Sequence, residues 1–343
     1  MYKATPKQIR KERMRRLEML ERAADNPDLQ ALYYEQCRRC PEFFANNFAY
    51  WYTPRPDHME QSKITPAVLF EFQVMVVLAT LGKVAWSLDP QGHRRKQIYD
   101  KPREIGLTYT ILTAYAWAFI FERDSKQGLL SKTGADVWDN TEDSVTSEDS
   151  LFGKLQFILH HLPFWILDHN EWSIKGSPKP ILTNRKNGNT ILGSKTTRDA
   201  FRQARHVRDF VDEAASIPLL ADICKAMDEV GPTTYVSTPK GMGNHFASLV
   251  HRQTDETVLG IDECEGQYGG VHVDLTISDD PRKDAAWEER KRANMSSEAF
   301  AQEYGKDYHA SAPGRIYKNF NRECMVLTTY QWEDILDSHI FDS

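Results

Sequence analysis

Long apolar runs are missing from this 343-residue chain: no stretch reaches the length of a membrane-spanning helix, and the charged N-terminus has no apolar core of the kind a secretory leader needs. Cysteine is scarce. Five in all, an odd number and mostly scattered, exclude a disulfide framework and fit reduced thiols. Cys37 and Cys40 form a lone C-x-x-C, without the second pair or nearby His that would complete a zinc set. Excess basic charge is also lacking. The net charge of −6 does not advertise nucleic acid, although a local basic surface is compatible with it. What is present, 41% hydrophobic and 27% charged residues, is the composition of a globular protein with ample core. The length suits two domains, or one large α/β domain with additions. A cytosolic location without membrane contact is expected.

The stretch around which the chain is organised is Ile98-Tyr99-Asp100-Lys101-Pro102-Arg103-Glu104-Ile105-Gly106-Leu107-Thr108, running into the apolar segment Tyr109 to Phe121. Local rules predict a strand over Gln97 to Tyr99, a turn over Lys101 to Gly106 and a helix from Thr108. Such a turn aims backbone N–H groups and the positive end of a helix at one point, where phosphate binds. A hydroxyl at Thr108 is placed to ligate the Mg²⁺ that accompanies a nucleotide. The usual pattern is Gly, four residues, then Gly-Lys-Ser/Thr; here the first Gly and the Lys are missing, and Leu107 stands in the lysine position. Lys101 and Arg103 open the loop, where either can supply the missing charge. An ordinary basic turn before a buried helix is the alternative.

Two downstream segments answer this loop. Val207 to Ser216 reads as a strand that ends in the carboxylates Asp212 and Glu213, one suited to a metal shell and its neighbour to orienting or deprotonating an attacking water. Arg208 and Asp209 interrupt its apolar character. Thr233 to Gly241 reads as a β-branched strand ending in Ser237-Thr238-Pro239, at the spacing of a neighbouring parallel strand after one crossover helix.

Together the deviant loop Lys101 to Thr108, the Asp212-Glu213-Ala214-Ala215 motif and Ser237-Thr238-Pro239 resemble the ATPase domain of viral large terminases, the motors that pump double-stranded DNA into phage heads. The resemblance extends from about Phe43 to about Phe320. It implies an α/β P-loop NTPase fold of the ASCE type, with a mostly parallel central sheet flanked by helices and an N-terminal helical extension. It also implies ATP and Mg²⁺ as cofactors. Double-stranded DNA, the portal protein and the small terminase subunit are the implied partners, with a homo-oligomeric ring when assembled. The implied location is the host cytoplasm, transiently at the procapsid portal vertex.

Carried over by position, the resemblance assigns phosphate binding to Lys101, Pro102, Arg103, Glu104, Ile105, Gly106, Leu107 and Thr108. Metal binding goes to Thr108 and Asp212, catalysis to Glu213, and coupling to Ser237, Thr238 and Pro239. Lys101 and Arg103 neutralise phosphate charge in cis, with Arg103 placed to respond to hydrolysis. Gln73, after the aromatics Phe70 and Phe72, is the candidate for reading the adenine edge through its amide; an exposed Gln opening a helix is the alternative. Arg202 is the candidate finger for an adjacent subunit's site, because a guanidinium is planar and permanently ionised. Gln203 replaces the family's Gly there, and Arg205 is the substitute if the register shifts.

Elsewhere, Pro6 to Leu20 carries Lys7, Arg10, Lys11, Arg13, Arg15 and Arg16 and reads as a basic amphipathic helix, either packed by one face or contacting DNA, portal or a neighbouring subunit. A hairpin is predicted around Asn187-Gly188. The expected division is an N-terminal extension over 1–60, the ATPase domain over 61–320 and a linker over 321–343. Too few residues follow Phe320 to form the nuclease domain of whole large terminases, so a motor domain without its nuclease, engineered or split, is expected. A helicase-like or DNA-remodelling ATPase, and an interaction module with a decayed loop, are the competing classes.

Overall fold

The structure, a computed structural model, describes residues 5–53, 63–139, 147–176, 179–198, 200–201, 205–227, 230–251, 253–258, 261–264 and 270–309. A capping side chain followed by proline starts each of the first three helices. α1 (Pro6–Ala24) is capped by the Thr5 hydroxyl, α2 (Pro27–Arg39) by Asn26 and α3 (Pro41–Phe48) by the Cys40 thiol.

Half of the basic set on α1 bonds to the body of the protein, and one of the three, Arg16, is buried. Arg16 donates to Ala49 O at 2.5 Å and Ala67 O at 3.1 Å, bonds Glu12 at 2.9 Å and lies 5.0 Å from the Tyr50 ring centroid. Arg15 donates to Asn46 O and Arg13 to Ile64 O. These arginines pin the helix to the body, whereas Lys7, Arg10 and Lys11 stay exposed. Arg16→Ala leaves two buried carbonyls without their donor and is expected to cost about 3 kcal/mol. Lys11→Ala should change stability by less than about 0.5 kcal/mol. Denaturant unfolding midpoints of the two variants check the contrast.

An antiparallel ribbon, β1 (Tyr50–Tyr52) and β2 (Ile64–Pro66), leads to α4 (Glu71–Thr80). Then follow β3 (Gln97–Asp100), α5 (Leu107–Phe121), β4 (Lys126–Leu130), α6 (Gly134–Val137), α7 (Leu151–His160), β5 (Trp172–Lys175), β6 (Ile181–Asn184) and β7 (Thr190–Gly193). The chain continues through β8 (Arg208–Asp212), α8 (Leu220–Met227), β9 (Thr233–Ser237), α9 (His245–Val250), β10 (Gln253–Val258), β11 (Ile261–Cys264), β12 (Gly270–Asp274), α10 (Ala285–Ala293) and α11 (Ser297–Glu303).

Among the described residues the main sheet has ten strands, in the order β10-β11-β12-β3-β9-β8-β4-β7-β6-β5. Its centre, from β12 to β7, is parallel, and antiparallel pairs form both flanks. Successive side chains on the central strands divide between two layers, as a period of two requires. Tyr99, Leu129, Phe210 and Val236 join the core shared with α3, α4, α5 and α7. Their neighbours Ile98, Leu130, Val211 and Tyr235 join the core built with α8 and α9. This is an α/β fold with a mostly parallel sheet covered on both faces. No helix among the described residues is long and apolar enough to cross a membrane.

α5 is buried on almost every side, so its last carbonyls cannot reach water. The predicted hairpin meets that need. The Asn184, Asn187 and Asn189 amides donate to the carbonyls of Ala118, Phe119, Ile120 and Glu122 at 2.9 to 3.2 Å. The polar residues that interrupt β8 find partners too, although Arg208 Nε and Asp209 Oδ2 are left without a hydrogen bond among the described residues. Arg208 donates to both Glu122 oxygens at 2.8 Å and to Gln127 at 3.1 Å, and Asp209 is 2.6 Å from His206. The predicted tail Gly314 to Phe320 and the linker 321–343 lie outside the described residues.

Candidate active site

Three parallel strands, β3, β9 and β8, end together, which is where an open α/β sheet binds ligands. Thr108 follows β3 and Asp212 ends β8, and β9 lies between those two strands. The two residues still meet. Thr108, in the first turn of α5, donates its hydroxyl to Asp212 Oδ2 at 3.0 Å, while the buried Asp212 Oδ1 has no hydrogen-bond partner among the described residues. Burial, reinforced by the Glu213 charge, pushes the Asp212 carboxyl up to about 6; Lys101, the Thr108 hydroxyl and Lys154 act against the rise.

Lys101 supplies the local positive charge. Its side chain is 8% exposed, and Nζ lies 3.9 Å from Glu213 Oε1 and 3.5 Å from Thr238 Oγ1. Lys101 thus brings a cation to the strand ends from the start of the loop, while Leu107 is buried in the core. Arg103 does not share that role. Its guanidinium turns to Glu303 of α11 at 3.1 Å, outside the strand-end cluster.

Glu213 sits at φ 53° and ψ 40°, a left-handed conformation that a residue with a side chain adopts at a cost of about 1 kcal/mol. The turn is stapled by Ser237, whose hydroxyl accepts from Ala215 N–H at 3.1 Å and donates to Thr238 O at 3.0 Å. Ser237 and Pro239 are buried and Thr238 half-buried, so the predicted coupling segment touches the carboxylate turn on one side and Lys101 on the other.

The loop between β3 and α5 has the left-handed residues Glu104 (φ 62°) and Gly106 (φ 76°) separated by Ile105. Among the described residues, the N–H groups of Glu104, Gly106, Leu107 and Thr108 have no backbone acceptor, and Ile105 closes a turn over Arg103 and Glu104. A concave run of amides of this kind, at the N-terminus of a buried helix, is an anion cradle. Pro102 and Ile105 are buried beneath it. Gly106 is favoured by its φ of 76°, and a Cβ there would also crowd Gln73 Nε2 at 3.1 Å.

Gln73 is placed differently from the adenine reader expected of it. It is 1% exposed; its Oε1 accepts from Phe70 N–H at 3.1 Å and its Nε2 donates to Ile105 O at 3.2 Å. The carboxamide therefore ties α4 to the loop between β3 and α5. Lys154 of α7, not singled out by the sequence pattern, donates to Asp149 O and lies near enough for its charge to act on Asp212. A lone cation in the apolar run Leu151-Phe152-Gly153-Lys154-Leu155 was the available signal. Arg202 lies outside the described residues, and Arg205 is exposed.

Neither a protein-family model nor a curated protein matches the chain. Among solved structures, it resembles phage large terminases. The ATPase domain of the Thermus phage P74-26 large terminase is 15% identical and aligns over 62% of this chain and 88% of its own, with a TM-score of 0.45. The large terminase of a second thermophilic bacteriophage, solved in complex with ADP, is 14% identical over 70% of this chain and 53% of its own, with a TM-score of 0.48. For the HK97 bacteriophage large terminase the values are 11%, 79%, 55% and 0.47. The chain spans about half the length of the latter two.

Among the described residues no group of three or more His, Cys, Asp or Glu side chains is placed to hold a metal ion. The donors at hand are one hydroxyl and one carboxylate with a spare oxygen. That set suits Mg²⁺, which takes few protein ligands and completes its octahedron with phosphate oxygens and water.

Proposed function

We propose that this chain is the ATP-hydrolysing motor domain of a phage large terminase, driving double-stranded DNA into a procapsid. The observation that carries the reading is the convergence of Thr108, Asp212 with its unpartnered Oδ1, and Lys101 beside a run of free loop amides. In this reading the β- and γ-phosphates of ATP lie on the amides of Glu104 to Thr108, and Lys101 neutralises their charge. Thr108 and Asp212 would hold Mg²⁺, which when bound offsets charge on the triphosphate. Glu213 orients the attacking water and accepts its proton as the γ-phosphoryl group leaves ADP. Arg202 reaches the site of an adjacent subunit in a ring, and Ser237 to Pro239 pass the change to the surface that grips DNA. Portal protein and the small subunit are the assembly partners.

The test is ATP turnover and nucleotide binding across a range of protein concentrations, with and without double-stranded DNA and portal. Turnover that rises steeply with concentration is expected, since an arginine acting in trans needs a neighbour. Lys101→Ala should weaken nucleotide binding about tenfold and lower turnover further. Absence of nucleotide binding in the unaltered chain would overturn the reading, and displacement of a strand from a forked duplex would favour the helicase-like one.

A further inference from the structure

The phosphate loop is held from outside by a segment that sequence patterns did not connect with it. After β12, which pairs with β3, the chain runs through α10 and α11 and returns to the end of β3, where Lys306 pairs with Asp274 and lies 3.8 Å from Asp100. Between those anchors the segment meets the loop repeatedly. Lys283 Nζ donates to Arg103 O, and Arg282 donates to Glu104 O at 3.3 Å. Arg103 N–H donates to Glu303 O at 2.8 Å, and the Tyr304 hydroxyl lies 3.3 Å from the Glu104 carboxylate.

The two cations are themselves fixed. Lys283 is 8% exposed and sits 5.0 Å from the ring centroids of both Trp287 and Tyr304. Arg282 forms a two-pronged pair with Asp280 and lies 5.3 Å from the Phe70 centroid. From the opposite side, Gln73 donates to the third carbonyl in the series, that of Ile105. Three successive carbonyls, of Arg103, Glu104 and Ile105, are thus each tied to a side-chain donor.

In a trans peptide the N–H points opposite to the C=O of the same unit. Tying back the carbonyls of residues 103, 104 and 105 therefore turns the amides of Glu104, Ile105 and Gly106 the other way. Without those ties each peptide unit is free to flip, and an anion would have to order the loop as it binds. We propose that Lys283 and Arg282, with Gln73, are positioning residues that preset the loop amides for the nucleotide phosphates, and that nucleotide occupancy and the packing of residues 277–309 are thereby linked. This rests on the nucleotide reading of the site. Linkage is reciprocal, so whatever the segment contributes to phosphate affinity, bound phosphate returns to the segment.

The experiment compares the unaltered chain with Lys283→Met, Lys283→Arg and Arg282→Gln, measuring binding of ADP and a non-hydrolysable ATP analogue, steady-state turnover, and amide hydrogen exchange over residues 277–309. Amides that hold the phosphates equally in ground and transition states change KM rather than kcat. Lys283→Met and Arg282→Gln are each expected to raise Kd and KM about tenfold and to change kcat less than threefold. Lys283→Arg, which keeps a donor, should recover most of the affinity. Nucleotide should slow exchange over 277–309 in the unaltered chain and much less in Lys283→Met. Unchanged affinity in folded Lys283→Met and Arg282→Gln, or exchange over 277–309 indifferent to nucleotide in the unaltered chain, overturns the positioning role and leaves the nucleotide site standing. No binding by the unaltered chain overturns both.

Discussion

Glu213→Gln is expected to lower ATP turnover by about 10³-fold while leaving nucleotide affinity within about twofold. The carboxylate is half-buried beside Lys101 and adjoins the Asp212 that Thr108 holds, so the amide keeps the shape and loses only the basic oxygen. Turnover and equilibrium binding, measured on the same preparation, separate the two quantities. A second variant makes the test sharper. Glu213→Gly removes the base and also the left-handed strain at φ 53°, so it should be equally inactive yet about 1 kcal/mol more stable. A strained residue that is costly to fold and necessary for turnover is the pattern of a functional site. Retained turnover in Glu213→Gln would remove this residue from the mechanism.

Asp212→Asn should show the same opposition between folding and chemistry, with a pH signature. The folded-state carboxyl is raised to about 6 from 3.8, chiefly by burial. Because the folded value lies above the unfolded one, the group favours folding below about pH 4 and loses that contribution as the pH rises through 6. At pH 7.5 the aspartate is ionised and desolvated, whereas asparagine is neutral, keeps an acceptor for the Thr108 hydroxyl and should stabilise the fold by about 2 kcal/mol. That corresponds to a rise in Tm of roughly 4 °C, shrinking towards zero by pH 4. Mg²⁺-dependent turnover should fall by at least about 10²-fold, because the charged ligand is gone. Thermal unfolding at several pH values, beside turnover, reads both effects. No stabilisation at pH 7.5 would mean that Asp212 is well solvated, contrary to its burial.

Much of the site was visible in one dimension. Strand, turn and helix over residues 97–121 follow from an apolar run that starts after Gly106, and the strands ending at Asp212 and Ser237 follow from β-branched and aromatic residues bounded by turns. The Asn187-Gly188 hairpin was legible for the same reason, since turn chemistry acts over four residues. Choices that depend on where a long side chain ends were not legible. Lys101 and Arg103 were equal candidates for the loop's charge, and only packing separated them, by giving Arg103 a partner in Glu303 and leaving Lys101 beside Glu213 and Thr238. Gln73 was read as a ligand contact because an amide can both donate and accept; those same capacities bond it to Phe70 and Ile105.

Backbone conformation and the order of elements arise from contacts within a few residues, and a single chain carries that information in its spacing of apolar, β-branched and turn residues. The sheet order that inserts β9 between β3 and β8, the buried Arg16 of α1 and the contacts of residues 277–309 with the loop between β3 and α5 join positions up to about two hundred residues apart. No local preference encodes such meetings. They are settled by which faces must be buried together and which carbonyls and charges, once removed from water, must find a partner.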